Sequence, residues 1–326
     1  MYKDYFRLQK LPFSMTPDPR CLYMTPQHRE AVAGLVYAIT NRKGLLVMSG
    51  DVGSGKTTVL ARVLQHLPLA SVQSSVIFHP TLTSNEFLEM AMLDFGLRDI
   101  PVSKAQRLVL FQRFLLESHA QKKVSALIID EAHKLNHELL EEVRLLGNFD
   151  YADQKLLQIV MVGQNELVET LRRQELRQLK QRIAVRVCLK PLNPGEVKGY
   201  IRYRWEQAGG GNEPPISIEA MDRITHWSKG VPRVVNLLCD QALLLAFAEQ
   251  KNQVETAHIE EAARDMDLTA LRPALVTQPV AVRVAPNGAA PSEPPIVGEI
   301  RVPHFGAYGR RKTSRLSRWA AKLRLA

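Results

Sequence analysis

A chain of 326 residues with 45% apolar side chains has room for two or three domains with ordinary buried cores, and it reads as a soluble globular protein. Its three cysteines, Cys21, Cys188 and Cys239, are odd in number, far apart and without metal-ligand spacing, which suits reduced thiols acting as small hydrophobes better than a disulfide framework. The net charge of +10 is concentrated in residues 310–326, which hold seven Lys/Arg and no Asp/Glu, and setting those aside leaves +3, too mild a balance to name a partner.

Residues 1–13 (MYKDYFRLQKLPF) mix charge with aromatics and lack the apolar region of a signal peptide, and no later apolar run approaches the ~20 residues that span a bilayer. The expected location is therefore cytoplasmic. Tyr5 to Phe13, followed by Thr16-Pro17-Asp18-Pro19, is aromatic and proline-punctuated, which predicts an extended arm rather than a helix, packed against the core. From Pro26 to Ile39 the apolar spacing predicts a helix, with Thr25 as N-cap and proline at the first position. An arm and helix in this place fit two roles equally, walling an adenine pocket or plain core packing.

Gly44 to Ser49 reads as a buried strand and Thr58 to Leu64 as an apolar-striped helix. Between them stands Gly50-Asp51-Val52-Gly53-Ser54-Gly55-Lys56-Thr57-Thr58, which fits the phosphate-binding pattern G-x-x-x-x-G-K-[ST] at every fixed position. The glycines let consecutive N–H groups turn inward on a phosphate, reinforced by the dipole of the following helix. Lys56 is expected to reach the β- and γ-phosphates of ATP, and the Thr57 hydroxyl to ligate Mg²⁺. The strand, loop and helix order disfavours a glycine-rich turn with a chance lysine.

Ser75 to His79 reads as a strand, Ser84 to Gly96 as a capped helix ended by glycine, and Ser103 to Lys122 as another helix. Val124 to Ile129 is a continuous apolar run, as in a buried parallel strand, and it ends in Asp130-Glu131-Ala132-His133. Acids at the carboxyl end of a strand beside a phosphate loop supply what the loop lacks: Asp130 for the metal shell and Glu131 to polarise the attacking water. Asp-Glu-Ala-His also spells a helicase box, but companion helicase motifs are missing. His133 is read as a loop or helix-start residue.

Leu157 to Gly163 is a third strand, ending in Gln164 and Asn165, where an amide can touch the γ-phosphate or orient water. Helix capping is as natural a role for Asn165, which makes Gln164 the candidate. Glu166 to Arg182 reads as one charged helix carrying Leu167, Leu171, Leu176 and Leu179, with a basic end that includes Arg177, Arg182 and Arg186. Beyond Leu189 the pattern turns helical: Pro194–Gln207, Ser217–Ser228, Pro232–Glu249 and Thr256–Met266, broken at Gly209-Gly210-Gly211 and Gly230. Arg233 stands at a helix start, where the dipole disfavours a structural cation, and is read as a phosphate ligand. Residues 269–309 hold seven prolines and no period, and read as a flexible linker. Residues 310–326 fit either an interfacial helix, with Leu316, Trp319 and Leu323 on one face, or a solvated basic tail.

Together these motifs resemble an AAA+ ATPase, and specifically the ExeA type (the general secretion pathway protein A family), over about residues 1–268. The likeness is carried by Tyr5-Phe6, Pro12-Phe13, Thr16-Pro17-Asp18-Pro19, Leu22-Tyr23, Asp130-Glu131-Ala132-His133, Val162-Gly163-Gln164, Gln181-Arg182-Ile183, Pro232-Arg233 and Asn236 to Asp240. The resemblance implies an α/β fold: a P-loop AAA+ core with a parallel sheet flanked by helices, followed by a small all-α lid. The domains expected are 1–190 for the nucleotide-binding core with its arm, 191–268 for the lid, 269–309 for the linker and 310–326 for the tail. It also implies sensor roles for Gln164 and Arg233 and a finger acting in trans at Arg182.

Beyond 268 the sequence departs from secretion proteins of this type, which continue into a membrane span and a peptidoglycan-binding region. The expected function is Mg²⁺-dependent ATP hydrolysis by a self-associating ATPase that supports envelope assembly such as secretion, pilus or exopolysaccharide export. The tail is expected to visit the inner-membrane surface or an envelope-assembly protein. A DNA-associated regulator of the transposition type, or a nucleotide-bound scaffold that does not hydrolyse, are the alternatives.

Overall fold

The computed structural model describes residues 2–16, 22–68, 70–78 and 80–268. The linker and tail, Cys21 and Pro17-Asp18-Pro19 of the expected arm lie outside the described residues. Helices α1 (Tyr2–Tyr5) and α2 (Pro26–Thr40) precede strand β1 (Leu45–Gly50) and helix α3 (Lys56–His66). Then follow β2 (Val72–Ile77), α4 (Ser84–Phe95), α5 (Lys104–Ala120), β3 (Val124–Ile129) and α6 (His137–Leu146). A small hairpin, β4 (Asp150–Tyr151) and β5 (Gln154–Lys155), leads into β6 (Leu157–Gly163), α7 (Asn165–Arg172), α8 (Arg177–Gln181) and β7 (Ile183–Leu189). Helices α9 (Pro194–Gln207), α10 (Ile218–Ser228), α11 (Pro232–Ala248) and α12 (Thr256–Asp265) complete the described chain.

Five strands form one parallel sheet in the order β2-β3-β6-β1-β7. Every residue of β1, β3 and β6 is buried, which is why these segments read as unbroken apolar runs rather than alternating ones. Register places Val47 opposite Met161 and Met161 opposite Ile129, so the three central strands end side by side. Since β6 lies between β1 and β3, Gln164 stands between the phosphate loop and the two acids. This is the α/β parallel-sheet architecture expected.

Helix boundaries follow local chemistry. Thr25 caps α2 by accepting from the His28 N–H, and Thr83 closes a capping box with Glu86 on α4, which ends at Gly96 in the left-handed region (φ 98°). Strand β2 begins three residues before the expected start at Ser75, because the Gln73 amide donates to the hydroxyls of Ser118 and Ser125 and so satisfies a polar residue on the sheet. The expected single helix over 166–182 is instead broken at Arg173 (ψ 144°) into α7, a tight turn at Gln174–Leu176, and α8. Leucine spacing explains the break: Leu176 is five positions after Leu171, about 140° away around a helix of 3.6 residues per turn, and only a re-phased chain buries both.

Two apolar clusters organise the described residues. One joins the sheet to α4–α8 around Phe87, Phe111, Leu127, Met161 and Leu167. The other joins α9–α12 around Ile201, Leu238, Leu243 and Ile259, and it includes Tyr2, Leu8 and Phe13 of the arm. The arm therefore packs on the helices α9–α12, and a helical turn, Tyr2–Tyr5, stands ahead of the stretch expected to be extended. The Tyr2 hydroxyl donates to Asp240, the Gln9 N–H to the Ala208 carbonyl at 2.8 Å, and Arg204 Nε to the Pro12 carbonyl at 2.7 Å. Burying Phe13 alone contributes roughly 1.5–3 kcal/mol.

Candidate active site

The phosphate loop leaves the buried end of β1 and turns at Gly53 (φ 78°) and Gly55 (φ 90°), a conformation that costs L side chains roughly 1–2 kcal/mol. Gly55 is the N-cap of α3 and has no side chain to offer its amides, whereas α2, α4, α6, α9 and α10 are capped by Thr25, Thr83, Asn136, Asn193 and Ser217. The first turn of α3, Lys56 to Thr58, faces a cavity of about 370 Å³ with the positive end of its dipole. Ser54 also lines that cavity, and its buried hydroxyl has no partner among the described residues. An uncapped helix start, left-handed glycines and an unsatisfied buried hydroxyl fit an anion such as a nucleotide phosphate.

Lys56 is 8% exposed, and its Nζ donates to the carbonyls of Gly50 at 2.9 Å and Asp51 at 2.8 Å. Burial lowers its pKa, opposed by the charges of Glu131, Asp130, Asp51 and Glu166. Asp130, at the end of β3, is 5% exposed, and its Oδ1 accepts the Glu131 N–H at 2.9 Å. Burial raises the Asp130 pKa; the Glu131 N–H bond and the Lys56 and His133 charges pull the other way. Glu131 lines the cavity while Asp130 lies behind it. Among the described residues no group of three or more His, Cys, Asp or Glu is arranged to hold a metal. A Mg²⁺ ion needs only one or two protein oxygens beside substrate phosphates, and the Thr57 hydroxyl and the Asp130 carboxylate are the oxygens that would hold it.

Gln164 and Arg233 line the same cavity, from the end of β6 and the start of α11. Asn165 does not cap α7: it is the first helical residue and its amide donates to the Asp51 carboxylate. Arg182 lies elsewhere, beside Lys43, Gly44 and Leu45 where β1 begins, at the opposite end of the sheet, and donates to the Arg144 carbonyl at 3.0 Å and to Asn148. Sequence reasoning passed over Tyr200 and Arg204, whose side chains meet at the cavity wall: Arg204 Nη1 donates to the Tyr200 hydroxyl at 3.0 Å, which donates to Asn236 at 2.8 Å. Their i, i+4 spacing on α9 was the available signal. Met15 of the arm, Tyr23, and His28 of α2 also line the cavity. Burial lowers the His28 pKa against the pull of Glu196.

Residues 39–171 match the AAA domain family. General secretion pathway protein A of Aeromonas hydrophila is 38% identical over 270 residues, covering 82% of this chain and 48% of that protein. The chain thus spans about half the length of that relative. Among solved structures, Cdc6p from Pyrobaculum aerophilum superposes with a TM-score of 0.60 at 14% identity, over 78% of this chain and 70% of that one. The Aeropyrum pernix ORC2 protein, solved with ADPNP and ADP, gives 0.57 at 15% identity over 81% and 75%. Those two likenesses speak for the fold. No described helix is long and apolar enough to cross a membrane. With the phosphate loop, the acids ending β3 and the amide ending β6 at one edge of a parallel sheet, the chain belongs to the AAA+ ATPase family and carries an ATPase module of the ExeA type.

Proposed function

We propose that the chain hydrolyses ATP with Mg²⁺ as a self-associating ATPase serving envelope assembly, with 1–190 as nucleotide-binding domain and 191–268 as lid. The observation that carries this reading is the meeting of Lys56, Thr57, Glu131, Gln164 and Arg233 around one cavity, with Asp130 behind. The α3 amides and Lys56 hold the phosphates, Glu131 orients and polarises the attacking water, and Gln164 and Arg233 contact the γ-phosphate. Mg²⁺, when bound by Thr57 and Asp130, supplies charge neutralisation at the phosphate oxygens. No covalent intermediate is needed; positioning and charge stabilisation do the chemistry. Arg182, facing away from its own cavity, serves the cavity of a neighbouring copy.

The envelope setting rests on the secretion-protein relative, and a tail-borne visit to the inner membrane belongs to the same reading. Phosphate release by the full chain tests the chemistry. Lys56→Ala should weaken nucleotide binding, while Glu131→Gln should keep binding and lose on the order of 10²-fold or more in turnover. Wild-type turnover in Glu131→Gln would remove the water-polarising role, and binding without any release would favour a nucleotide-bound scaffold. Offering the full chain anionic vesicles and duplex DNA separates the membrane reading from a DNA-assembled regulator.

A further inference from the structure

Glu131 takes the left-handed conformation (φ 52°, ψ 32°), which few residues other than glycine adopt. It turns the chain out of β3 into the tight turn Ala132–Lys134, which brings His133 back against the end of β6. The approach is backbone to backbone: a Cβ at Gly163 would stand 3.1 Å from the His133 nitrogen. The imidazole is held between residues ending two different strands. Its Nδ1 accepts from the Gln164 backbone N–H at 3.4 Å, and its Nε2 lies 3.1 Å from Gln164 Nε2 and 3.6 Å from Glu131 Oε2. The His133 side chain is 13% exposed against 36% for Glu131, so the ring is the better anchored of the two.

An imidazole that accepts at Nδ1 carries its hydrogen at Nε2 when neutral. Two acceptors are within reach of that one N–H: the Glu131 carboxylate and, after a half-turn of the amide, Gln164 Oε1. We propose that His133 is a positioning residue that couples contact between Gln164 and the γ-phosphate to the alignment of Glu131. This rests on the hydrolytic reading above. With the Gln164 amide against the ring, the Nε2–H is taken and Glu131 is left to Lys134, whose Nζ is 3.6 Å away. A γ-phosphate that draws the amide off the ring frees the N–H for Glu131. Held by one oxygen, the carboxylate keeps its remaining lone pairs for the attacking water. Hydrolysis is thereby tied to a phosphate in place.

Full-length wild type, His133→Ala, His133→Gln, Gln164→Ala and the double variant His133→Ala/Gln164→Ala are compared by steady-state phosphate release. Nucleotide affinity is measured separately with a fluorescent ATP analogue, and a nucleotide-induced rise in Tm shows that each variant is folded. His133→Ala should lose about tenfold or more in kcat with affinity within about threefold of wild type. His133→Gln, whose amide N–H reaches the place of Nε2, should recover much of the loss. The double variant should be no slower than Gln164→Ala alone, since the two residues act as one unit. Wild-type kcat in His133→Ala, no recovery in His133→Gln, or losses that multiply in the double variant would each overturn the link while leaving the ATPase reading standing. A wild-type protein that binds nucleotide and releases no phosphate overturns both.

Discussion

The backbone N–H of Arg233 donates to the Gly53 carbonyl at 3.3 Å, and a Cβ at position 53 would stand 2.5 Å from the Arg233 Cβ. Phosphate loop and α11 thus meet main chain to main chain, and position 53 requires glycine twice, for that approach and for its φ of 78°. Gly53→Ala should weaken nucleotide binding by about tenfold or more, the equivalent of roughly 1.4 kcal/mol. Isothermal titration checks it, and unchanged affinity would mean that loop and α11 are uncoupled.

Asp130 links function to stability through its burial. Its folded pKa lies above the ordinary carboxylate value, so the folded protein binds the extra proton: the associated stability is present below the ordinary value and is lost as pH rises through the raised one. At neutral pH the ionised group therefore weighs against the nucleotide-free fold. Asp130→Asn keeps an Oδ1 for the Glu131 N–H and removes the charge. It should raise Tm at pH 7 without nucleotide, by about 2–4 °C per kcal/mol relieved, with a smaller gain at pH 4, while abolishing Mg²⁺-dependent turnover. A scanning calorimetry series in pH reads the first effect and phosphate release the second.

Arg182 should behave unlike the residues around the cavity. Arg182→Ala is expected to leave nucleotide affinity intact and lower turnover by something like 10³-fold, the scale of an arginine acting in trans. Specific activity of the wild type should rise with protein concentration. A flat dilution series would assign Arg182 to its own surface, with Arg177 and Arg186 next to be tested.

Away from the site, Glu142 is 4% exposed, and its Oε2 accepts from Lys104 Nζ at 2.7 Å and from the Ser84 hydroxyl at 2.9 Å. Lys104→Met leaves a buried carboxylate with only a hydroxyl. Because Lys104 is 41% exposed on its side chain, the loss should fall near 1–3 kcal/mol rather than that of a fully buried pair. Urea unfolding of Lys104→Met against Lys104→Met/Glu142→Gln measures it, and the double variant should recover stability.

What the sequence disclosed was what has a local pattern. The phosphate loop, the buried runs of β1, β3 and β6 and the capped helices follow from spacing and caps, and so were legible residue by residue. Helix α6 went unread although its leucines recur at helical spacing, because Glu142 interrupts the buried face and only Lys104 and Ser84, distant in sequence, make it tolerable. The break at Arg173 was written in the Leu171–Leu176 interval but hidden by the strongly helical charge pattern around it. Contacts to the cavity from Tyr200, Arg204 and the arm depend on a chain reversal of nearly two hundred residues, which no window of sequence contains. His133 was read as a loop or helix-start residue and lies in the tight turn Ala132–Lys134; its position against Gln164 comes from the left-handed Glu131 before it.

The arm has a consequence for the order of events on the ribosome. Tyr2, Leu8 and Phe13 bury against helices that begin at Pro194, so the arm, synthesised before the sheet, waits for nearly the last described segment. Until Trp205, Asp240 and Phe247 have emerged, the arm has no apolar surface of its own to join, and the sheet must assemble with that segment still solvated. Closure of the second cluster is a contact of very high sequence separation, slow by loop entropy and therefore late. A nascent chain stalled before α11 would carry its aromatic leader exposed, a ready target for holdase chaperones and for pairing with the leader of another stalled copy.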